Sequence, residues 1–125
     1  MKRIPLFMLA VSTMLTACSE KQLIHKEVKV RDVIVRWYST SAISSTRGFV
    51  DVNYKDQWTN VLNCNDGSIT DVDIDNGIII IKSYKPHELI YNSKSRIGSL
   101  KIQQVPASTK EWLHYYQPEF ENSVE

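Results

Sequence analysis

Ile69-Thr70-Asp71-Val72-Asp73-Ile74-Asp75, then Asn76-Gly77, then Ile78-Ile79-Ile80-Ile81 is the stretch that decides the fold. The first run alternates apolar and acidic residues with a period of two, as a strand with one packed and one wet face does. Asn-Gly suits a type I′ turn, whose two central residues both need φ > 0, so the two runs read as a hairpin. Four consecutive isoleucines read as a strand covered on both faces, near the centre of a sheet.

Working outward, the same period recurs. On the N-terminal side, Gln57 to Cys64 alternates Trp58, Asn60, Leu62 and Cys64 against Thr59, Val61 and Asn63. Lys55-Asp56 forms a tight turn from Gly48–Tyr54, where Val50, Val52 and Tyr54 share a face. Asn65-Asp66-Gly67-Ser68 is a second strong turn signal. Ser39 to Thr46 is rich in Ser and Thr without periodicity and reads as a loop. Glu27 to Tyr38 reads as one long strand whose phase slips at Asp32-Val33, as at a bulge or a sheet-to-sheet bend. On the C-terminal side Lys85-Pro86 ends the isoleucine run, and Glu88–Tyr91 and Arg96–Val105 supply the remaining strands. Pro106 stops the last of them.

Ser108-Thr109-Lys110-Glu111 has the spacing of a capping box and opens a short helix to about Gln117, ended by Pro118. Trp112, Tyr115 and Tyr116 fall on one face of it at i, i+3 and i+4. The expected fold is mainly β: an antiparallel β-sandwich or small barrel of about seven strands with a short C-terminal helix.

The chain has 125 residues, one domain's worth, with 42% hydrophobic and 23% charged residues and only four Gly and four Pro. Fifteen Lys and Arg against fourteen Asp and Glu leave +1, so composition points to no nucleic-acid partner. Two cysteines do not make a disulfide scaffold.

The N-terminus has its own pattern. Met1-Lys2-Arg3 precedes twelve uncharged residues, Ile4 to Leu15, too short to span a bilayer and of the length of a secretory h-region. Leu15-Thr16-Ala17-Cys18 follows. These residues resemble the lipobox of bacterial lipoproteins: an aliphatic residue, two small or weakly polar ones, and the cysteine that is lipidated. The resemblance implies cleavage between Ala17 and Cys18, a diacylglyceryl thioether on Cys18, an acylated new amine, and a membrane partner held through these chains. Ser19 in place of Asp favours the outer membrane by the same resemblance. Removal of Lys2 and Arg3 takes the net charge from +1 to −1.

The domain limits read as 1–17 signal peptide, 18–26 lipidated cysteine and short polar tether, 27–117 β domain with helix, and 118–125 tail. Fully extended, the eight residues Ser19–Lys26 reach roughly 26–29 Å. Cys64, then the one unmodified thiol, reads as a small buried hydrophobe.

Three features are candidates for chemistry. Asp71, Asp73 and Asp75 have the D-x-D-x-D spacing of an EF-hand-type calcium loop. The glycine comes one place late, at Gly77, and Lys82 stands where a bidentate Glu belongs, so a solvated strand face with Val72 and Ile74 packed beneath is the competing reading. Trp112, Tyr115 and Tyr116 are either a docking surface or the helix's packing stripe. His25, His87 and His114 have no partner at ligand spacing, and no nucleophile motif occurs. The sequence therefore points to a non-enzymatic accessory module that binds an envelope protein, with no cofactor. The alternative is a binder of lipid, glycan or cation, and a small envelope hydrolase comes third.

Overall fold

The computed structural model describes residues 21–42 and 45–123. Two β-sheets pack face to face. The larger runs in the order β1 (Lys21–Val30), β2 (Val33–Ala42), β3 (Ser45–Tyr54), β4 (Gln57–Asn65), β7 (Ile90–Ser93). The smaller has the order β5 (Ile69–Asp75), β6 (Ile78–Ser83), β9 (Leu100–Pro106), β8 (Arg96–Ile97). The helix α1 (Thr109–Tyr116) and a 3₁₀ turn (Pro118–Ser123) follow. This is a sandwich; the strand order closes no barrel.

The inner faces explain the alternation. Val35, Trp37, Val50, Val52, Leu62 and Cys64 project from the larger sheet. Ile69, Val72, Ile79, Ile81, Leu100 and Ile102 meet them from the smaller. Two inner faces fill a core about 10 Å thick, and each fully buried Val, Leu or Ile contributes roughly 1.5–3 kcal/mol. Cys64 is fully buried, and burial pushes its thiol up from the usual value, as expected of a packed hydrophobe. β6 is an interior strand: Ile79 and Ile81 fill the core, while Ile78 and Ile80 on the other face are half-buried. The Asn76-Gly77 hairpin is present, with φ of 51° and 76°, and so is the turn at Lys55-Asp56, with φ of 55° and 60°.

Several elements differ from the sequence reading. Glu27–Tyr38 is two strands joined at Arg31-Asp32, with Val30 paired to Val33 and Val28 to Val35. A bulge would have kept the chain running forward with its two valine runs on opposite faces. The hairpin turns it back and aims Val28, Val33, Val35 and Trp37 at the core, at the cost of a left-handed Arg31 (φ 57°). Lys21–Lys26, read as tether, belongs to β1, and most of Ser39–Thr46, read as loop, belongs to β2 and β3. Arg96–Val105 is broken at Gly98-Ser99 into β8 and β9, with Gly98 at φ 58°. The described residues thus hold nine strands in place of about seven. The pairing is also mixed: β6 and β9 run parallel, because the chain between them crosses to the larger sheet to form β7 and then returns. Pro118–Ser123, read as tail, is a 3₁₀ turn.

The helix begins as its sequence dictates. Ser108 Oγ accepts from the Glu111 amide and Glu111 Oε1 accepts from the Ser108 amide, both at 3.0 Å. Glu111 Oε2 also accepts from Lys82 Nζ at 2.7 Å, which ties the first turn to β6.

Candidate functional site

Helix α1 sits over the turn that carries the chain from β4 in one sheet to β5 in the other. Trp112 Nε1–H donates to the Gly67 carbonyl at 2.8 Å, and the Tyr116 hydroxyl donates to the Ile69 carbonyl. Burial raises the Tyr116 hydroxyl far above its ordinary value. Both residues are therefore used in packing. Tyr115, between them in sequence, points elsewhere and is 38% exposed. The rings form a continuous row. His87 stacks on Trp112 at 4.7 Å, Trp112 lies 5.7 Å from Tyr116, and Tyr116 lies 4.8 Å from Tyr115. Tyr115 is then 4.9 Å from Trp37, which stacks on His25 at 4.5 Å.

His25 is the site residue that the sequence did not disclose. A register shift between Ile24 and Lys26 sets it in the bulge of β1, stacked on Trp37. Its Nδ1 lies 2.6 Å from the Tyr115 hydroxyl and its Nε2 lies 2.6 Å from Ser39 Oγ. Ser39 Oγ in turn donates to Asp66 Oδ1 at 2.7 Å. The direction of the chain follows from its acidic end. A carboxylate only accepts, so the Ser39 proton faces Asp66, and Ser39 offers a lone pair to Nε2–H. Nδ1 of the neutral ring then accepts from the Tyr115 hydroxyl. Burial holds the imidazole below its usual 6.5, partly opposed by the negative charge of Asp66, and this favours the neutral form.

That shift has a sign. Once the pH drops below about 6.5, the unfolded chain binds the proton more readily than the folded one. The stability contributed by neutral His25 is complete above that value and is lost as the pH falls through the lower folded value. Melting temperature should therefore fall as the pH drops from about 7 through the lower folded value, and the fall should be shallower in His25→Gln. Equal slopes in the two proteins, followed by calorimetry, would contradict this assignment. Glu111, held low by Lys82 and by the Ser108 amide, acts in a separate window below 4.5.

The three aspartates lie along one face of β5. Asp71 pairs with Lys26 Nζ at 2.7 Å, Asp73 Oδ1 accepts from the Ile74 amide at 2.8 Å, and Asp75 is exposed. Val72 is buried beneath them and Ile74 packs against the core. Alternate residues of a strand stand about 6.6–6.8 Å apart, so the carboxylates are spread in a line and do not converge on one ion. Among the described residues no group of three His, Cys, Asp or Glu is placed to hold a metal.

Asp71 and Tyr115, noted in the sequence for different reasons, line one cleft. It measures about 450 Å³ and is bordered also by Thr70, Lys110, Glu111 and His114. Its carboxylates already have partners: Asp71 has Lys26, Glu111 has Lys82, and Glu121 has the His114 ring. Thr70 Oγ1 is buried and has no hydrogen-bond partner. Elsewhere several aromatic rings are covered on one face by a residue of another strand. The Arg36 guanidinium covers Trp58 at 4.4 Å, that of Arg47 covers Tyr91 at 4.1 Å, and Tyr38 stacks on Phe49 at 5.2 Å.

Ala17 and Cys18, the cleavage and lipidation positions, lie outside the described residues. No protein-family model, curated protein or solved structure matches the chain.

Proposed function

We propose that this chain is a lipid-anchored protein of the bacterial envelope, held through Cys18, at the outer membrane by the residue that follows. In this reading its sandwich serves as a non-enzymatic accessory module that docks a protein partner at the α1 cleft. The observation that carries the docking is Tyr115. Its neighbours Trp112 and Tyr116 are hydrogen-bonded to backbone carbonyls and hold the helix, while its own ring stays 38% exposed at the mouth of a cleft of about 450 Å³. A rigid, half-exposed aromatic beside a concavity supplies contact area at little conformational cost on binding.

The polarity of the hydrogen-bonded chain through His25 supports a non-enzymatic role. In a hydroxyl nucleophile the histidine takes the serine proton. Here the Ser39 hydroxyl donates its hydrogen bond to Asp66 and accepts one from His25, the reverse order. A second reading, a small ligand such as a lipid, glycan or cation, rests on the same concavity of about 450 Å³.

A photo-crosslinking phenylalanine analogue at position 115, expressed in cells, tests the docking. The expected result is one dominant envelope-protein adduct that is absent from position 58 and is lost when Thr70→Arg fills the cleft. The same adducts at 115 and 58, or none at either, would overturn it.

A further inference from the structure

The exposed apolar side chains are not spread evenly over the sandwich. One row of paired residues crosses the whole larger sheet: Leu23 to Ser39, Ser39 to Gly48, Gly48 to Cys64, Cys64 to Ile90. At one edge of this row Leu23 and Ile24 are 63% and 51% exposed. At the other edge Leu89, Ile90 and Tyr91 are 57%, 40% and 50% exposed. Four interstrand steps separate the edges by about 19 Å. The opposite end of the sandwich carries the turns Arg31-Asp32, Lys55-Asp56, Asn76-Gly77 and Gly98-Ser99, with Val30 and Trp58 as its exposed apolar residues.

We infer that the end of the larger sheet where β1 begins rests on the phospholipid surface, with Leu23 and Ile24 at one edge and Leu89 and Ile90 at the other as its apolar contacts. The inference builds on the reading of Cys18 as lipidated. Chain length supplies the occupant. β1 starts at Lys21, three residues after Cys18, and not beyond Lys26 as the tether reading had it. Six steps from Cys18 to Ile24 reach at most about 20–22 Å even when fully extended, and three to Lys21 about 10–11 Å. A domain on so short a lead cannot turn this end away from the bilayer that holds the anchor.

The side chains suit that surface. Leucines and isoleucines at the two edges enter the boundary between headgroups and acyl chains. Tyr91, with Arg47 over its ring at 4.1 Å, combines an apolar body with polar tips at headgroup level. Beside Leu89, Lys85 Nζ pairs with Glu88 Oε1 at 2.9 Å, so this pair adds no net charge to the contact. The contact thus depends on apolar area more than on anionic lipid.

The test uses full-length lipidated protein in vesicles of phosphatidylethanolamine and phosphatidylglycerol with brominated acyl chains. An environment-sensitive dye is placed through Ile24→Cys, Leu89→Cys or, as the distal control, Trp58→Cys. Buried Cys64 does not react in the folded protein. The expected result is a blue-shifted emission at positions 24 and 89, quenched by bromine severalfold more than at 58. Emission at 24 and 89 as solvent-like as at 58, on protein whose mass shows the lipid, overturns the inference and leaves the anchoring intact. A blue shift without bromine quenching also overturns it, because a protein surface or a second copy then covers the patch. A mass without lipid overturns the anchoring and the inference together. On unlabelled protein, hydrogen exchange on the same vesicles should slow at Leu89–Tyr91 and not at Lys55–Trp58; equal rates at both would count against it.

Discussion

Trp37→Ala should lower stability by about 3–5 kcal/mol, the usual cost of emptying a buried aromatic site. For a domain of this size that corresponds to a fall in melting temperature on the order of 20 °C. Trp37 is 2% exposed and projects from β2 into the core, with His25 stacked on one side and Tyr115 packed against it. Its removal opens a cavity in the core and takes away the surface that holds the imidazole between Tyr115 and Ser39. A domain stable by only about 5–15 kcal/mol loses a large part of its margin. Trp37→Phe, which keeps a ring there, should cost markedly less. Thermal and urea unfolding of the two variants check the ranking, and an alanine variant as stable as the phenylalanine one would contradict it.

Cys18→Ala should have the largest effect on where the protein is found. Each buried methylene of an acyl chain contributes about 0.8 kcal/mol of membrane affinity, so several chains together hold the protein firmly where one would not. The charge near the anchor does not replace them, since the chain without Lys2 and Arg3 carries only −1. In the variant, palmitate labelling should disappear and the chain should be recovered uncleaved or soluble. A variant that still took up label and sedimented with lipid would contradict the reading of Leu15–Cys18. The fold itself should be unaffected, because the β-sandwich begins at Lys21.

Features that depend on a few neighbouring residues were legible. Asn76-Gly77 announces its hairpin because few other residue pairs accept two positive φ angles cheaply. Ser108 and Glu111 announce the helix start because each satisfies the other's backbone amide. The alternation of Val50 and Val52 gives the core face of β3 directly.

Arg31-Asp32 was missed because nothing in its composition marks a turn. The pairing of Val28 with Val35 and of Val30 with Val33 forces Arg31 into a left-handed conformation that its own preferences oppose. The strand ends in Ser39–Thr46 were missed because polar residues stand on both faces there. Ser39, buried, is satisfied by His25 and Asp66, which no hydrophobic period can register. The parallel pairing of β6 with β9 depends on a crossover between sheets and leaves no local trace.

The candidate site was half legible. Trp112 and Tyr116 stood out by helical spacing, and the structure uses both to hold α1. Tyr115 joined them in the sequence but occupies the mouth of the cleft. The chain through His25 joins residues 14, 27 and 90 positions apart, a separation that only the folded sandwich closes.

The intact mass of the mature protein, purified from bacterial membranes, decides whether Cys18 carries the anchor. The expected species is a chain that begins at Cys18 and carries a diacylglyceryl group on sulfur and an acyl group on the new amine. A mature chain that begins elsewhere, or an unmodified Cys18, would contradict it.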